Sequence, residues 1–174
     1  LLRDVKDRRA SEYRKAKEVH GGEYVLTSTE ADNVAGMQES VRSQYSIPKG
    51  RAEVSLFAVC DLTGVAVKCR FDLLTDDGHA IDLKKTQDSS REAFAKSLYN
   101  YRYHVQEAFY RYVYYLVFGS ELESFKFLAV EEQPPHIAMP YTIGFESAEI
   151  ANTEMQADLA RYAACVQAND WPGY

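Results

Sequence analysis

The chain is poor in cysteine and has no long apolar segment. Its three cysteines, Cys60, Cys69 and Cys165, are widely spaced and form no Cys-x-x-Cys pair, which argues against a zinc ribbon or a disulfide framework. We interpret them as reduced, mostly buried side chains of a cytoplasmic protein, with a reactive thiol at Cys60 as the alternative. No apolar run approaches the roughly 20 residues that cross a bilayer, so we expect no membrane partner.

An excess of basic residues is also lacking. The 174 residues include 20 lysines and arginines against 26 aspartates and glutamates, a formal net charge of −6. A protein that holds nucleic acid by electrostatics alone is basic, so this balance counts against that class. The argument is partial, because a divalent cation reverses the charge of an acidic cluster. The first residues are charged and contain no apolar segment, so we expect no signal peptide.

Tyrosine is abundant, with 13 residues, seven of which lie between Tyr99 and Tyr115. We interpret most of them as amphipathic rings that pack a helix, and one or two as contacts to a base or a phosphate. The remaining composition, 46% hydrophobic and 26% charged, is typical of an ordinary globular domain.

The order of local patterns predicts an α/β or α+β fold in which helices flank one mixed sheet. Ser89 with Glu92 is a capping box that opens a helix, and Gly119 ends it after a break near Asn100. Thr27 with Glu30 opens an earlier helix in the same way. The segments predicted as helices are 3–19, from 28 to before 47, 90–118 and 147–168, and those predicted as strands are 52–59, 64–74, 80–84, 124–130 and 138–145.

Acidic and basic residues alternate along two of the predicted strands. A three-residue loop, Asp76-Asp77-Gly78, closes a hairpin in the antiparallel three-strand meander. Counting back from the loop places Asp72 opposite Asp82 and Arg70 opposite Lys84. Opposed residues share a face and have Cβ atoms roughly 5 Å apart. The pattern therefore predicts two carboxylates and one amine on the same face of the sheet.

Such a cluster has a specific chemistry. Two carboxylates at that separation repel each other, and a divalent cation relieves the repulsion. Their oxygens favour Mg²⁺ or Mn²⁺, which would polarise a phosphoryl oxygen and make water more acidic. Lys84 would position or deprotonate the attacking water, or stabilise charge on the phosphate. Glu53 is a third candidate carboxylate, and the alternative is that Asp72 and Asp82 form an ordinary solvated face.

A predicted helix carries a second polar group. Gln106 and Tyr110 are four residues apart and share one helix face with Tyr103, which lies a turn earlier. An amide flanked by phenols is suited to a phosphate or a metal-bound water, and the alternative is a Gln106 that bonds to neighbouring backbone. Lys85 alternates to the opposite face of its strand and is either a substrate contact or solvated. Together, Lys85, Arg70 and Tyr103 are the candidate substrate contacts.

These residues resemble the motifs of the PD-(D/E)xK nuclease superfamily, in the RecB-like branch that adds Gln-x-x-x-Tyr after the core. More closely, the chain is similar to the RecE-type exodeoxyribonucleases of phages and prophages over residues 52–171, roughly two thirds of its length. The run Tyr-Arg-Tyr-His-Val-Gln at 101–106 is the most specific part. The segments that carry the resemblance are Glu53-Val-Ser-Leu-Phe57, Thr63-Gly64, Lys68-Cys-Arg-Phe-Asp72, Asp82-Leu-Lys-Lys-Thr86, Tyr101-Arg-Tyr-His-Val-Gln-Glu-Ala-Phe-Tyr110 and Trp171-Pro172.

The resemblance implies a restriction-endonuclease-like fold and a Mg²⁺-dependent, processive 5′→3′ exodeoxyribonuclease that acts on double-stranded DNA ends. It implies a 3′ single-stranded product for a RecT-like annealing recombinase, a ring-shaped homo-oligomer around DNA, and a bacterial or phage-encoded protein of the cytoplasm. The site residues it implies are the metal carboxylates Asp72 and Asp82, the accessory acid Glu53, the catalytic Lys84, and Gln106 and Tyr110 after the core.

The chain departs from that family in one respect. Relatives carry a metal-binding histidine on an N-terminal helix, and His20 falls in a different context, so either that helix precedes Leu1 or the site is incomplete. We expect a single nuclease domain, helical over residues 1–50 and catalytic over 51–174. Two alternatives to an exonuclease stay open: a structure-specific or restriction-type endonuclease of the same fold, and a non-catalytic DNA-binding member.

Overall fold

The computed structural model describes residues 7–19 and 25–173. Helices and strands follow each other there in the order that the sequence patterns predict. The helices are α1 (Ser11–Val19), α2 (Ser28–Gln44), α3 (Arg91–Asn100), α4 (Tyr103–Phe118) and α5 (Phe145–Ala168), and the strands are β1 (Arg51–Val59), β2 (Ala66–Leu74), β3 (His79–Thr86), β4 (Ser124–Glu131) and β5 (Ala138–Tyr141).

The capping box predicted at the start of α2 is confirmed. The Thr27 hydroxyl accepts from the Glu30 amide at 3.3 Å, and the Glu30 carboxylate accepts from the Thr27 amide at 2.9 Å. These two bonds satisfy amides that have no partner within the helix. Among the described residues, the helix predicted over 3–19 begins only at Ser11. Its predicted end at Gly21-Gly22, and His20, lie outside the described residues.

The strands form one mixed five-stranded sheet in the order β1-β2-β3-β4-β5. Both β1–β2 and β2–β3 are antiparallel, so the predicted three-strand meander is confirmed. The Ser124 amide donates to Gly78 O, and farther along the Glu132 amide donates to Thr86 O, so β4 runs in the same direction as β3. Two helices, α3 and α4, connect these parallel strands, as a crossover of this kind requires.

The chain divides into two compact units. In the first unit, the Ser40 hydroxyl of α2 donates to the carbonyl of His136. The single domain predicted from the sequence stays a prediction. Of the described residues, the first unit comprises 7–19, 25–47, 85–89 and 130–139, and the second comprises 48–84, 90–129 and 140–173.

The second unit contains a continuous aromatic core. Phe71, Phe125 and Phe127 are almost fully buried, and the Phe71 ring meets the Tyr110 ring edge-on at 5.1 Å between centroids. Burial of each phenylalanine contributes roughly 1.5–3 kcal/mol. The core includes residues of β1, β2, β3 and β4 and of α3, α4 and α5. It therefore fixes α4, which carries Gln106, against the strands that carry the acidic residues.

The cysteines and helix ends test several smaller predictions. Cys60 and Cys69 are buried and unpaired, as predicted.

The helix break near Asn100 is confirmed, and Gly119 ends α4 with a left-handed φ of 68°. The strand predicted over 138–145 is shorter, because it ends at Tyr141 before α5 begins. Within the described part of the chain, no helix has the length and apolar character that a bilayer crossing needs.

The predicted capping box of Ser89 and Glu92 is wrong by one residue. Ser90 is the N-cap of α3, and its hydroxyl accepts from the Ala93 amide at 3.4 Å. Ser89 has a different role, because its amide and its hydroxyl donate to one oxygen of Glu131 at 2.9 Å and 3.0 Å. The capping role that the sequence pattern assigns to Ser89 therefore belongs to its neighbour Ser90.

Candidate active site

The β2–β3 hairpin places the candidate acidic residues. Thr75 donates its amide to His79 O at 2.9 Å, and Gly78 lies in the left-handed region at φ 82°, which a side chain would disfavour. Leu74 pairs with Ala80 and Leu73 with Ile81. This is the register that the loop Asp76-Asp77-Gly78 predicts. If this register continues by one more residue, Asp72 lies opposite Asp82.

Asp72 lies where the alternation of β2 changes phase. Buried positions are two apart up to Phe71 and then resume at Leu74, three residues later. In this interval the Asp72 carboxylate accepts a hydrogen bond from the Leu83 amide at 2.7 Å. A side-chain oxygen of β2 thus accepts from a backbone amide of β3, two residues beyond the Leu73–Ile81 pair of the two strands. Asp72 is thereby fixed to the strand that carries Asp82.

Asp82, Lys84 and Gln106 form a closed polar triangle. Gln106 Nε2 donates to Asp82 Oδ1 at 2.6 Å, and Lys84 Nζ donates to Gln106 Oε1 at 2.8 Å. The third side is an ion pair, with Lys84 Nζ 2.6 Å from Asp82 Oδ2. The Asp82 residue is only 4% exposed. Because buried charges need partners, this triangle explains why β3 tolerates an acid and an amine at its centre.

Two aromatic rings lie against the amine of Lys84. Lys84 Nζ lies 4.2 Å from the centroid of the Tyr103 ring and 5.9 Å from that of Phe127. A cation over an aromatic face is attracted by the ring quadrupole. Tyr110, one turn beyond Gln106, has a raised pKa because it is buried, and hydrogen bonds from the Arg70 backbone and the Gln106 side chain oppose the rise. These contacts hold the amine and the amide in one orientation.

The electrostatics of the site centre on Asp82. Burial raises the pKa of Asp82 above its ordinary value, and the negative charge of Asp72 adds to the rise, whereas Lys84 and Gln106 lower the pKa. The structure also holds Asp72 beside Asp82, because the Asp72 carboxylate accepts from the amide of Leu83, the next residue of β3. A buried acid whose pKa is raised, with a second acid next to it, is a common feature of functional sites.

The donor set fits a hard divalent cation. Asp82 Oδ2 is buried, with the Lys84 ammonium 2.6 Å away. The carboxylates of Asp82 and Asp72 are chemically suitable oxygen ligands for Mg²⁺, which completes its shell with water and phosphate. Across residues 7–19 and 25–173, no group of three His, Cys, Asp or Glu side chains gathers as a ready-made metal cage.

Comparison with known proteins decides the family. Residues 9–174 match the family described as a PDDEXK-like domain of unknown function, DUF3799. The chain belongs to this family. Its sheet and helices are those of the restriction-endonuclease-like fold of the PD-(D/E)xK superfamily, as the sequence motifs predict. A comparison with curated proteins finds no match.

The fold of this DUF3799 chain is also found in a solved structure. The chain is similar to a crystal structure from Eubacterium rectale described as a candidate exonuclease, with a TM-score of 0.67 and 12% sequence identity. The similarity covers 92% of this chain and 62% of that one. At this identity the likeness concerns the fold.

The remaining predicted site residues contact other partners. Glu53 has a left-handed φ of 55°, and its carboxylate lies 2.9 Å from the Arg70 guanidinium, so these two side chains engage each other. Lys85 belongs to the first unit, where its amine lies 3.0 Å from Glu132. The structure therefore brings together Asp82, Lys84, Gln106, Tyr103 and Tyr110, with Asp72 coupled to them.

Two neighbours of the site have no obvious signal in the sequence. Phe127 flanks Lys84, yet it reads simply as one more apolar residue of β4. Arg102 has a left-handed φ of 55° between α3 and α4, and its guanidinium lies 2.8 Å from Asp158 of α5. A positive φ at arginine is uncommon. Its signals in the sequence are its position in the helix break near Asn100 and its place in the run at 101–106.

Proposed function

We propose that the chain is a Mg²⁺-dependent deoxyribonuclease and, more specifically, an exodeoxyribonuclease acting on double-stranded DNA ends. The observation that carries the proposal is the closed triangle of Asp82, Lys84 and Gln106, beside a second carboxylate, Asp72, that is hydrogen-bonded to the same strand. Membership in the PDDEXK-like family supports the coarser part, hydrolysis of a phosphodiester bond.

Each residue has a role that follows from its surroundings. Asp72 and Asp82 would hold the cation, whose positive charge would polarise the phosphate and make the attacking water more acidic. The Lys84 ammonium, oriented by Gln106 and by the Tyr103 ring, stabilises the negative charge that develops on the phosphate. Gln106 keeps the amine and the carboxylate at a fixed separation, so that little reorganisation is needed when substrate binds.

The first test measures Mg²⁺-dependent release of nucleotides from linear duplex DNA. Asp82→Asn and Lys84→Ala should each abolish release, whereas Lys96→Ala, which removes an exposed amine from α3, should leave it unchanged. Activity that survives both site substitutions would refute the assignment of Asp82 and Lys84.

Substrate topology separates the two catalytic alternatives. An exonuclease leaves a covalently closed circle intact and degrades the same molecule once it is linearised. Cleavage of the closed circle would instead support a structure-specific or restriction-type endonuclease. A chain that binds DNA and cleaves neither form would be the non-catalytic DNA-binding member.

The finer parts of the proposal rest on the resemblance to RecE-type enzymes. They are 5′→3′ polarity, processive action, a ring-shaped homo-oligomer, a RecT-like annealing partner and a cytoplasmic location in a bacterial or phage system. Labelling one 5′ or one 3′ end tests polarity, and light scattering in the presence of duplex tests the ring. Release of the 3′ label first would contradict the polarity.

A further inference from the structure

One tyrosine beside the site is turned to solvent. Tyr101 caps the end of α3 and is 69% exposed. Its neighbour Tyr99 lies on the same junction, but its ring packs on His104 at 4.8 Å and its hydroxyl bonds with Ser147 at 2.9 Å. Tyr99 therefore has a structural role that contacts within the protein explain. The ring of Tyr101, in contrast, leaves most of its surface in solvent.

The Tyr101 ring is connected to the site by stacking. It lies 5.5 Å from the ring of Tyr103 with 29° between the planes, an offset-stacked arrangement. The same Tyr103 ring lies 4.2 Å from Lys84 Nζ. These two distances together set an upper limit on the separation between the Tyr101 ring and Lys84 Nζ. That limit corresponds to about three base steps of a stacked strand, at roughly 3.4 Å each. Tyr101 is thus within a few nucleotides of a phosphate held at Lys84.

The backbone beside Tyr101 is held in place by ion pairs. Arg102, the next residue, has a left-handed φ of 55° and ψ of 37°, which non-glycine residues rarely adopt. Its guanidinium lies 3.1 Å from Glu154 and 2.8 Å from Asp158, both on α5. Such outliers persist when their surroundings over-determine them. The turn that presents Tyr101 is therefore anchored at a second helix.

We propose that Tyr101 is a platform on which a nucleobase of the DNA stacks, within three nucleotides of the phosphate at Lys84. The inference rests on the proposed function and adds how the strand is positioned. Every base has a π face, so such stacking tolerates any sequence. It also suits a chain with a formal net charge of −6, whose electrostatics alone would hold DNA weakly.

The binding test uses the whole chain with Ca²⁺ in place of Mg²⁺, so that DNA binds without being cut. Duplexes carry 2-aminopurine at each of the three terminal positions of either strand in turn. At one of these positions, the wild-type chain and Tyr101→Phe should quench the probe equally, whereas Tyr101→Ala and Tyr101→Leu should not. Tyr115→Ala, which removes a half-exposed tyrosine at the other end of α4, is the matched control and should quench like wild type.

The kinetic test separates positioning from folding. Tyr101→Ala should raise KM about tenfold, since one base–aromatic stack has roughly that effect, and leave kcat within twofold. An abasic nucleotide at the probed position should raise the wild-type KM to the same value and leave the variant unchanged. Melting temperatures of all variants within about 2 °C of wild type would show that folding is intact.

The outcomes distinguish the two proposals. Wild-type cleavage with a Tyr101→Ala variant of unchanged KM and unchanged quenching refutes the stacking platform and leaves the nuclease standing. A wild-type chain that neither binds nor cleaves DNA refutes both. A loss of activity in Tyr101→Phe equal to that in Tyr101→Ala assigns the effect to the hydroxyl and also refutes stacking.

Discussion

Two buried carboxylates in the second unit have similar surroundings at first sight. Asp82 is 4% exposed and Glu107 is 3% exposed. Each lies beside a cation, at 2.6 Å from Lys84 and 2.9 Å from Arg111, and burial raises the pKa of both acids.

Their neighbours differ, and the difference separates a structural ion pair from a candidate active site. Arg111 donates to Leu122 O at 2.8 Å, so the pair with Glu107 ties α4 to the chain that enters β4. Asp82 instead is coupled to the negative charge of Asp72 and to the amide of Gln106. A buried acid with a cation is therefore weak evidence for catalysis. The informative feature is a second acid, Asp72, that is held beside the buried one.

The largest expected effect is on catalysis. Asp82→Asn removes a cation ligand and should lower the rate of DNA cleavage by at least about 100-fold, the usual effect of losing one preorganised electrostatic group. Glu107→Gln removes an equally buried charge and should change the rate by less than about threefold. Single-turnover cleavage of a labelled linear duplex measures both. Equal losses in the two variants would remove the distinction between the sites.

The second effect is on stability in the presence of metal. A cation that binds only the folded chain stabilises it by about 2.7 kcal/mol when its concentration is 100 times the Kd. Mg²⁺ or Mn²⁺ should therefore raise the melting temperature of the wild-type chain and of Glu107→Gln, but not of Asp82→Asn or Asp72→Asn. Calorimetric scans with and without chelator provide the comparison. A rise that persists in both Asp variants would place the cation elsewhere.

The third effect reverses the roles of the two sites. Arg111→Ala leaves Glu107 buried without its cation and Leu122 O without this donor, and should lower the free energy of unfolding by about 2 kcal/mol. Asp82→Asn keeps an oxygen that accepts from Gln106 Nε2 and removes a carboxylate whose pKa burial raises, so it should raise the free energy of unfolding in metal-free buffer. Urea unfolding of both variants tests the opposite signs. A destabilised Asp82→Asn would indicate that the triangle contributes to folding.

The smallest effect is on the pH dependence of stability. The ordinary pKa values are 3.8 for Asp82 and 4.5 for Glu107, and both are raised in the fold. Between its ordinary and its raised pKa, each group keeps a proton in the folded state that the unfolded state has lost. The free energy of unfolding should therefore fall as the pH rises through that window and level off above it.

Variants isolate this contribution from that of other acids. Glu107→Gln and Asp82→Asn should each flatten part of the decline relative to wild type, in urea unfolding between about pH 4 and pH 8 with chelator present. Acids with a lowered pKa, such as Glu30, act in the opposite direction and are common to all three proteins. Curves that remain parallel would contradict the raised pKa values.

Much of the sheet could be predicted because local rules determine it. Gly78 in a three-residue loop fixes the hairpin register, and Thr27 with Glu30 fixes the start of α2. Residues four apart on α4 had to share a face, so Gln106 and Tyr110 were paired correctly. In each case the decisive interaction lies within a few residues of the pattern that predicts it.

The errors involve partners that are distant in sequence. Ser89 does not cap its helix because Glu131 takes its amide and hydroxyl. Glu53 pairs with Arg70 across β1 and β2, a contact that the sequence pattern does not anticipate, and its role as an accessory acid stays a prediction. The hydrogen bond between Asp72 and the Leu83 amide occurs where the alternation of buried and exposed residues along β2 is interrupted. Strict alternation does not anticipate this interruption. Side-chain competition of this kind leaves no periodic signal.

The coupling of Asp72 and Asp82 through one cation is tested most directly by anomalous diffraction from crystals soaked in Mn²⁺. Binding of one cation by both carboxylates predicts a single strong peak at about 2.0–2.3 Å from an oxygen of each residue. Lys84 Nζ should then either move away from Asp82 Oδ2 or contact that oxygen together with the cation. A peak that contacts neither carboxylate, or none at a concentration that supports DNA cleavage, would contradict the account.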